Sequence, residues 1–278
     1  MSTFSLANDL TVHRLGYGAM RITGDGVWGP PKDRAEAIRV LRATRELGID
    51  FIDTADSYGP YVSEELIAEA LHPYADDLVI ATKAGLERTG PNQWPINGRP
   101  EHLEEACKGS LKRLKLEQIP LYQWHRFDPE VPADESLDKL KDLQQRGYVK
   151  HLGLSEVSVA QIERAQDYFE VVSVQNKFSL TDRKWADELD WCAERGIAFI
   201  PWYPLDAGKV ADDRLRAVAK KHGATIYQIA LAWLLHHRDN ILLIPGTSSV
   251  QHLRENTAAG AIELDEADMQ QLAGQPTA

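Results

Sequence analysis

The chain has 278 residues, 43% of them hydrophobic, and a formal charge of −11 from 31 basic and 42 acidic side chains; this charge opposes nucleic-acid binding, which depends on neutralising phosphates. The first ten residues lack the basic and apolar regions of a signal peptide, and no apolar stretch approaches the roughly 18 residues that a membrane helix needs, so we expect no membrane partner. Cys107 and Cys192 are too few for a disulfide framework and have no metal-ligand spacing, so we expect a cytoplasmic protein without a metal.

In chain order, the first elements are two short segments, Thr3–Leu6 and Thr11–His13, which flank Asn8-Asp9 and predict a hairpin. Short apolar runs then recur along the chain. They are rich in Val, Ile and Leu with little alternation, which is typical of strands buried on both faces. The runs are Arg14–Met20, Ile49–Asp53, Leu78–Lys83, Ile119–Trp124, His151–Ser155, Val171–Gln175, Ile197–Tyr203 and Ile241–Pro245.

Helical stretches separate these predicted strands. They include Arg34–Leu47, Glu101–Leu114, Leu137–Gln145, Lys184–Glu194, Asp212–Lys221 and Thr225–His236. Strands that alternate with helices form a parallel sheet, and eight such strands close into a barrel. Because the sequence shows no linker and no internal repeat, we predict one α/β domain over residues 1–278: a (β/α)8 TIM barrel with a short N-terminal hairpin.

Four reactive side chains follow successive strands of this predicted barrel. Asp53 ends the second strand, Tyr58 lies in the loop after it, Lys83 ends the third and His125 follows the fourth. Each residue type alone is commonly structural. Since barrel enzymes build their active sites at the carboxyl ends of the strands, the four together predict a catalytic site.

This set of side chains suits the reduction of a carbonyl group. The alkoxide that forms needs a proton, and a tyrosine phenol holds one at neutral pH. Lys83 can stabilise the resulting phenolate, Asp53 can pair with Lys83, and His125 can orient the substrate oxygen. We therefore predict Tyr58 as the proton donor.

The sequence offers one candidate loop for a phosphate-bearing cofactor. Gly16 and Gly18 supply two glycines of a dinucleotide fingerprint, but Arg21 takes the third position. After the eighth predicted strand, residues 245–249 lead into a helix, whose N-terminus can bind an anion. The same loop is equally consistent with a plain helix cap rich in hydroxyl groups.

Together these motifs resemble the aldo-keto reductase superfamily, and the matches run in order from Leu15 to Asn256. The catalytic matches are Asp53–Gly59, Thr82–Gly85 and His125 after Leu121–Trp124. The cofactor matches are Leu152–Ser155, Val174–Asn176, Pro201–Leu205 and Ile244–Asn256. Within the superfamily the chain looks closest to bacterial pyridoxal reductases and their relatives, on Arg14–Met20, Gly29–Arg34 and Ile241–Val250.

The resemblance implies a monomer that binds extended NADP(H) and reduces a small carbonyl substrate. By this resemblance Ser155 and Gln175 hold the nicotinamide carboxamide, and Trp202 stacks on the ring. The full implied cofactor set is Ala19, Met20, Ser155, Gln175, Trp202, Tyr203, Pro204, Leu205, Ile244, Gly246, Thr247, Ser248, Ser249, His252, Glu255 and Asn256.

The chain departs from the family pattern at three places. Glu156 replaces the Asn that usually follows Ser155, so either the carboxyl is protonated or it turns away and Gln175 serves alone. Trp202 replaces the usual Tyr, and its larger ring can still stack. The loop at Gly246 has hydroxyl residues where Lys or Arg is common.

Aromatic and basic residues near the predicted strand ends are candidates for the substrate pocket. Arg21 and Arg126 are possible polar anchors, and the aromatic candidates are Trp28, Trp94, Trp124, Phe127 and Tyr203. Several of these aromatics could equally be packing residues. An aromatic-rich cleft suits pyridoxal, other aromatic aldehydes, quinones or oxidised sugars.

Two other functions fit parts of the sequence. Lys83 beside an acid also suits a barrel lyase or isomerase that forms a Schiff base. Some members of the superfamily are instead regulatory subunits that bind NADPH and turn over slowly.

Overall fold

A computed structural model describes residues 2–205 and 213–273 of the chain, and in it seven parallel strands form one sheet in sequential order. These strands are β3 (Tyr17–Gly18), β4 (Phe51–Asp53), β5 (Val79–Ala84), β6 (Ile119–Trp124), β7 (Val149–Ser155), β8 (Val171–Gln175) and β9 (Ala198–Phe199).

Residues 241–243 close this sheet into a (β/α)8 barrel. Ile241 pairs with Phe199 on one side, and Leu243 pairs with Leu15 on the other. The Leu243 amide donates to the Arg14 carbonyl and its carbonyl accepts from the Gly16 amide, each at 2.8 Å. The Arg14 guanidinium reinforces the junction by donating to the Ile241 carbonyl at 3.0 Å.

Ten α-helices, in the described part of the chain, surround the barrel. Capping boxes fix two of their starts: Ser158 pairs with Gln161, and Thr225 pairs with Gln228. The helices are α1 (Arg34–Glu46), α2 (Val62–Leu71), α3 (Pro100–Leu114), α4 (Ala133–Gln145), α5 (Val159–Gln166), α6 (Ala186–Glu194), α7 (Asp213–His222), α8 (Ile226–His237), α9 (Val250–Ala258) and α10 (Glu266–Ala273).

The predicted N-terminal hairpin covers one end of the barrel. Strands β1 (Thr3–Ala7) and β2 (Leu10–His13) pair antiparallel, and Leu6, Leu10 and Val12 are buried. They share a hydrophobic cluster with side chains inside the barrel, including those of Phe51 and Leu121. The opposite end, where β4, β5 and β6 finish, stays open.

The structure shortens four of the predicted strands, of which Ile49–Asp53 loses only its first two residues. Of Arg14–Met20 only Tyr17–Gly18 forms a strand, of Ile197–Tyr203 only Ala198–Phe199, and Ile241–Pro245 contributes only the pairs at Ile241 and Leu243. Pro201 and Pro245 lack the amide that a sheet needs, which ends the last two runs early. Asp212, the first residue of one predicted helix, lies outside the described residues.

Candidate active site

Adjacent parallel strands bring the four predicted catalytic residues to the open end of the barrel. Asp53 ends β4 opposite Ala81 of β5, and Lys83 lies opposite Gln123 of β6. His125 directly follows β6. All four side chains are at least nine-tenths buried, so water has little access to them although this end of the barrel is open.

Lys83 and Asp53 form the predicted ion pair. The Lys83 Nζ donates to Asp53 Oδ2 at 2.6 Å and to the Thr54 carbonyl at 2.7 Å. Burial lowers the pKa of Lys83, and the adjacent Asp53 carboxylate opposes that shift. The pair therefore fixes the position of the lysine.

Two glutamine amides satisfy the other oxygen of Asp53. Gln123 Nε2 donates to Asp53 Oδ1 at 3.0 Å, and Gln175 Nε2 donates to it at 2.9 Å. Sequence reasoning missed Gln123. The signal was available, because residues two apart on a strand face the same side, and Gln123 precedes His125 by two positions.

Tyr58 lies beside this pair, with its ring centroid 5.3 Å from Lys83 Nζ. The side chain is only 7% exposed. Burial raises the pKa of Tyr58, and the negative charge of Asp53 raises it further. The phenol is therefore protonated at neutral pH and can serve as an acid but not as a resting phenolate.

His125 faces Tyr58 with the ring centroids 6.1 Å apart. Burial lowers the pKa of His125 well below its usual range, and the nearby charges of Lys83 and Arg126 add to the effect. The imidazole is thus neutral at pH 7 and can act as a hydrogen-bond donor or acceptor. Its buried Nδ1 has no hydrogen-bond partner among the described residues.

Arg126 and Ser155 lie next to the catalytic group. Arg126 Nη1 donates to the His125 carbonyl at 2.6 Å and to Ser155 Oγ at 2.9 Å. The Ser155 hydroxyl donates in turn to the Gln175 carbonyl at 2.9 Å. The structure therefore brings together Ser155 and Gln175, the two residues expected to hold a nicotinamide carboxamide.

Glu156 turns away from this group, which is one of the two alternatives that its sequence left open. Its Oε1 accepts from Trp202 Nε1 at 2.6 Å and from the Lys177 amide at 2.8 Å. The residue adopts a left-handed conformation, with φ of 54°. The carboxylate therefore anchors the indole of Trp202.

A cavity of about 570 Å³ opens above the catalytic residues. One wall is largely hydrophobic and comes from Val27 after β3 and from the loop after β5. The other comes from the last residues of β7 and β8, from residues after β9 and from the barrel junction. The lining residues are Gly18, Met20, Arg21, Val27, Asp53, Tyr58, Leu86, Asn92, Trp94, Ile96, His125, Arg126, Ser155, Gln175, Trp202, Tyr203, Pro204, Leu205, Ile244, Pro245 and Gly246.

Arg88, which sequence reasoning missed, joins the loops of the hydrophobic wall. Its guanidinium lies 3.6 Å from the Trp94 ring centroid. It donates to carbonyls in three loops: Gly26 and Val27 after β3, Ser57 after β4, and Gly90 and Gln93 after β5. Nothing in the sequence pattern distinguishes this arginine from a surface one.

Several predicted pocket residues lie outside the cavity wall. Trp124 is a packing residue, 1% exposed, and its ring lies against that of Phe127 with the centroids 4.0 Å apart and the planes tilted by 32°. Trp28 is 37% exposed, and its ring faces Arg88 at 5.6 Å. Ala19 is fully buried in the hydrophobic cluster between the barrel and α1.

The predicted phosphate loop, residues 245–249, begins at the cavity wall with Pro245 and Gly246 and continues beyond it to the start of α9. The Ser249 hydroxyl caps the helix by accepting from the His252 amide at 3.5 Å, and the Val250 amide donates to Glu36 Oε1 of α1 at 3.1 Å. One of the amides at the start of this helix therefore already donates to a carboxylate of the protein. The other predicted residues of this region, none of which lines the cavity, are Thr247, Ser248, Glu255 and Asn256.

No cluster of His, Cys, Asp or Glu in residues 2–205 and 213–273 has the arrangement of a metal site. Within the same residues, every helix is too short or too polar to cross a membrane.

Residues 14–274 match the model of the aldo/keto reductase family. The chain belongs to this family. It is 43% identical over 280 residues to pyridoxine 4-dehydrogenase of Escherichia coli, covering 98% of both proteins. It is 50% identical over 258 residues to an uncharacterized oxidoreductase of Schizosaccharomyces pombe, covering 92% of this chain and 84% of that protein.

Solved structures of other aldo-keto reductases share the fold. The thermostable enzyme Tm1743, in complex with the inhibitor epalrestat, superposes with a TM-score of 0.88 at 31% identity and covers 98% of this chain and 99% of its own. An aldo/keto reductase from Klebsiella pneumoniae in complex with NADP and acetate gives a TM-score of 0.82 at 25% identity, with 97% and 93% coverage. The resemblance inferred from the motifs is confirmed, and this aldo/keto reductase is an oxidoreductase.

Proposed function

We propose that this aldo/keto reductase reduces small aldehydes or ketones with NADPH and that Tyr58 donates the proton. The observation that carries the proposal is the environment of Tyr58: a protonated phenol on the cavity wall, 5.3 Å from Lys83 Nζ and facing a neutral His125. That arrangement supplies an acid, a cation for the phenolate and a hydrogen-bonding group for the substrate oxygen.

The residues of the second cavity wall fit the cofactor. Ser155 and Gln175 offer polar groups for a carboxamide, and the anchored indole of Trp202 offers a face for a planar ring. Bound NADPH supplies the hydride that the carbonyl carbon accepts. The Klebsiella relative, solved with NADP, supports this assignment.

The protein groups then handle the proton. His125 orients the carbonyl oxygen toward the Tyr58 hydroxyl, which gives its proton to the oxygen as negative charge develops there. The Lys83 ammonium, held by Asp53, stabilises the tyrosinate until solvent returns the proton. The hydrophobic wall around Trp94 keeps water from the reacting groups, which strengthens each of these interactions.

A Schiff-base mechanism on Lys83 finds no support in this geometry. Its Nζ is fully buried, bonded to Asp53 and Thr54, and does not line the cavity. The monomeric state, the cytoplasmic location and the single-domain boundaries stay predictions.

The test is the oxidation of NADPH, followed by its absorbance, in purified protein given pyridoxal, 4-nitrobenzaldehyde or methylglyoxal, each repeated with NADH. Pyridoxal is included because the E. coli relative is a pyridoxine 4-dehydrogenase. We expect oxidation that depends on the carbonyl compound and is faster with NADPH. If neither cofactor is oxidised and NADPH does not quench the protein's fluorescence, the proposal is wrong.

A further inference from the structure

Arg126 is a charged residue of the cavity that the proposed mechanism does not use. It follows His125 directly, lines the cavity, and its guanidinium carbon lies 5.9 Å from the centroid of the Trp202 ring. Burial lowers the pKa of Arg126, and the nearby Glu156 carboxylate partly opposes that shift.

Within the part of the chain that the structure describes, this cation forms no ion pair or hydrogen bond with a carboxylate. Nη1 donates to two neutral oxygens, the His125 carbonyl and the Ser155 hydroxyl, while Nε and Nη2 donate to none of the described residues. The neighbouring Glu156 carboxylate is engaged by Trp202 and the Lys177 amide. By contrast, Lys83 and Arg113 are paired at 2.6 Å with the buried carboxylates of Asp53 and Glu64, respectively.

We propose that Arg126 binds an anionic oxygen of the substrate, so that the site prefers small aromatic aldehydes that carry a carboxylate or an ionised phenol. This inference rests on the proposed function. A guanidinium with three unused N–H donors, one on Nε and two on Nη2, can bind an anionic oxygen through charge-assisted hydrogen bonds, which are about twice as strong as neutral ones. The aromatic walls at Trp94 and Tyr203 suit a ring that carries both the aldehyde and the anion.

The first experiment compares three aldehydes in the wild type, Arg126→Met and Arg126→Lys. They are benzaldehyde, 2-carboxybenzaldehyde, and 2-hydroxybenzaldehyde at a pH above the pKa of its phenol. We expect Arg126→Met to lower kcat/KM for an anionic aldehyde by about 10- to 100-fold, mainly through KM, because a hydrogen bond to a charged group is lost. Because Arg126 also contacts His125 and Ser155, its loss can slow all three aldehydes alike, so the measure is the ratio of kcat/KM for an anionic aldehyde to that for benzaldehyde, which should fall by about 10- to 100-fold. Arg126→Lys, which keeps the charge, should recover part of that ratio.

The two anionic aldehydes distinguish a carboxylate from a phenolate, since kcat/KM in Arg126→Met should fall more for the anion that the site recognises. An equal loss for all three aldehydes would overturn the proposal, because Arg126 would then act only through Ser155 and the cofactor.

The second experiment does not depend on turnover. Benzoate is an unreactive anion of the same size, and its binding can be followed by quenching of tryptophan fluorescence, with benzamide as the neutral control. We expect Arg126→Met to weaken benzoate binding by a factor similar to its effect on kcat/KM and to leave benzamide unchanged. Equal benzoate affinity in wild type and Arg126→Met would refute the anchor, even if no aldehyde were reduced and the proposed reductase activity failed separately.

Discussion

Tyr58 combines a buried phenol with two charged neighbours of opposite sign. Burial and the Asp53 carboxylate raise the pKa of the phenol and hold its proton at rest, while the Arg126 guanidinium acts in the opposite direction. In the proposed mechanism Lys83, with its Nζ 5.3 Å from the ring centroid, stabilises the phenolate. The proton therefore leaves readily only when a stronger base, the nascent alkoxide, is in contact with the hydroxyl. The phenol therefore gives up its proton in the transition state of carbonyl reduction and keeps it in the resting protein.

Replacing Tyr58 with Phe should remove the acid and leave the cavity intact. We expect kcat for a carbonyl substrate to fall by roughly 10²- to 10⁴-fold, the usual scale for a lost general acid. NADPH affinity, measured by fluorescence quenching, should change little because the proposed cofactor residues Ser155, Gln175 and Trp202 are unaltered. Near-normal turnover in Tyr58→Phe would contradict the mechanism.

The ion pair of Asp53 and Lys83 lends itself to a double-mutant comparison. Asp53→Asn leaves a buried cation without its counter-charge, and we expect the free energy of unfolding to fall by about 3–5 kcal/mol. Asp53→Asn combined with Lys83→Met removes both charges and should recover much of that loss in urea unfolding. If the single and double variants were equally unstable, the charge pair would not be the cause.

At the scale of elements, Arg88 ties together the loops after β3, β4 and β5. Its donation to the Ser57 carbonyl, at 2.9 Å, acts on the residue next to Tyr58. We expect Arg88→Met to reduce kcat/KM by about 10- to 100-fold, because a displacement of about 1 Å can cost that much. NADPH affinity should stay within about twofold.

Arg88→Lys serves as the comparison, because a single ammonium cannot reach carbonyls in three loops and should restore only part of the rate. Hydrogen exchange should also speed up at residues 85–99 in Arg88→Met. An unchanged kcat/KM in Arg88→Met would show that the loops hold Tyr58 without it.

The last turn of α8 carries a pH-sensitive contact. His237 stacks on Trp233 at 4.5 Å, and burial, with the charges of Arg238 and Arg183, lowers its pKa to about 4. In the unfolded chain the pKa of His237 is about 6.5. Below that pH the imidazole is protonated in the unfolded chain but stays neutral in the folded one, so the free energy of unfolding falls as the pH drops toward 4.

Between pH 7 and pH 4 the free energy of unfolding should fall by about 1–3 kcal/mol less in His237→Phe than in the wild type. Urea unfolding at both pH values measures the difference, and the phenyl ring preserves the stacking. Identical losses in the two proteins would show that other groups, such as His125, account for the acid sensitivity.

The strands and helices of the barrel could be identified from the sequence more accurately than the residues at which they begin and end. Apolar runs gave the strand order because both faces of each strand are buried. The short strands β3 and β9 could not be delimited, because pairing depends on where the neighbouring strand stops. The contacts of Glu156 and Arg88 were also beyond prediction, since each depends on loops distant in sequence.

At the scale of the molecule, the hairpin of β1 and β2 closes the end of the barrel opposite the cavity. Leu10 is 6% exposed there. We expect Leu10→Ala to lower the free energy of unfolding by about 2–5 kcal/mol, as usual for a buried leucine. Carbonyl reduction at 25 °C should stay within about twofold, since the site lies at the other end.

Thr11→Ala is the control, because Thr11 is an exposed residue of the same hairpin. Apart from the loss of its hydrogen bond to Ser5, the substitution should lower the free energy of unfolding by less than about 0.5 kcal/mol. A large loss of activity in Leu10→Ala would show that the two ends of the barrel are coupled.

The junction between residues 14–16 and 241–243 determines when, during synthesis of the chain, the active-site cavity can form. Arg14 and Ile241 meet although they are 227 positions apart in the chain. The cavity spans this junction, with Gly18 on one side and Gly246 on the other. The chain must therefore emerge from the ribosome as far as Gly246 before the cavity wall is complete, and until then the nascent protein exposes the edges of an open sheet.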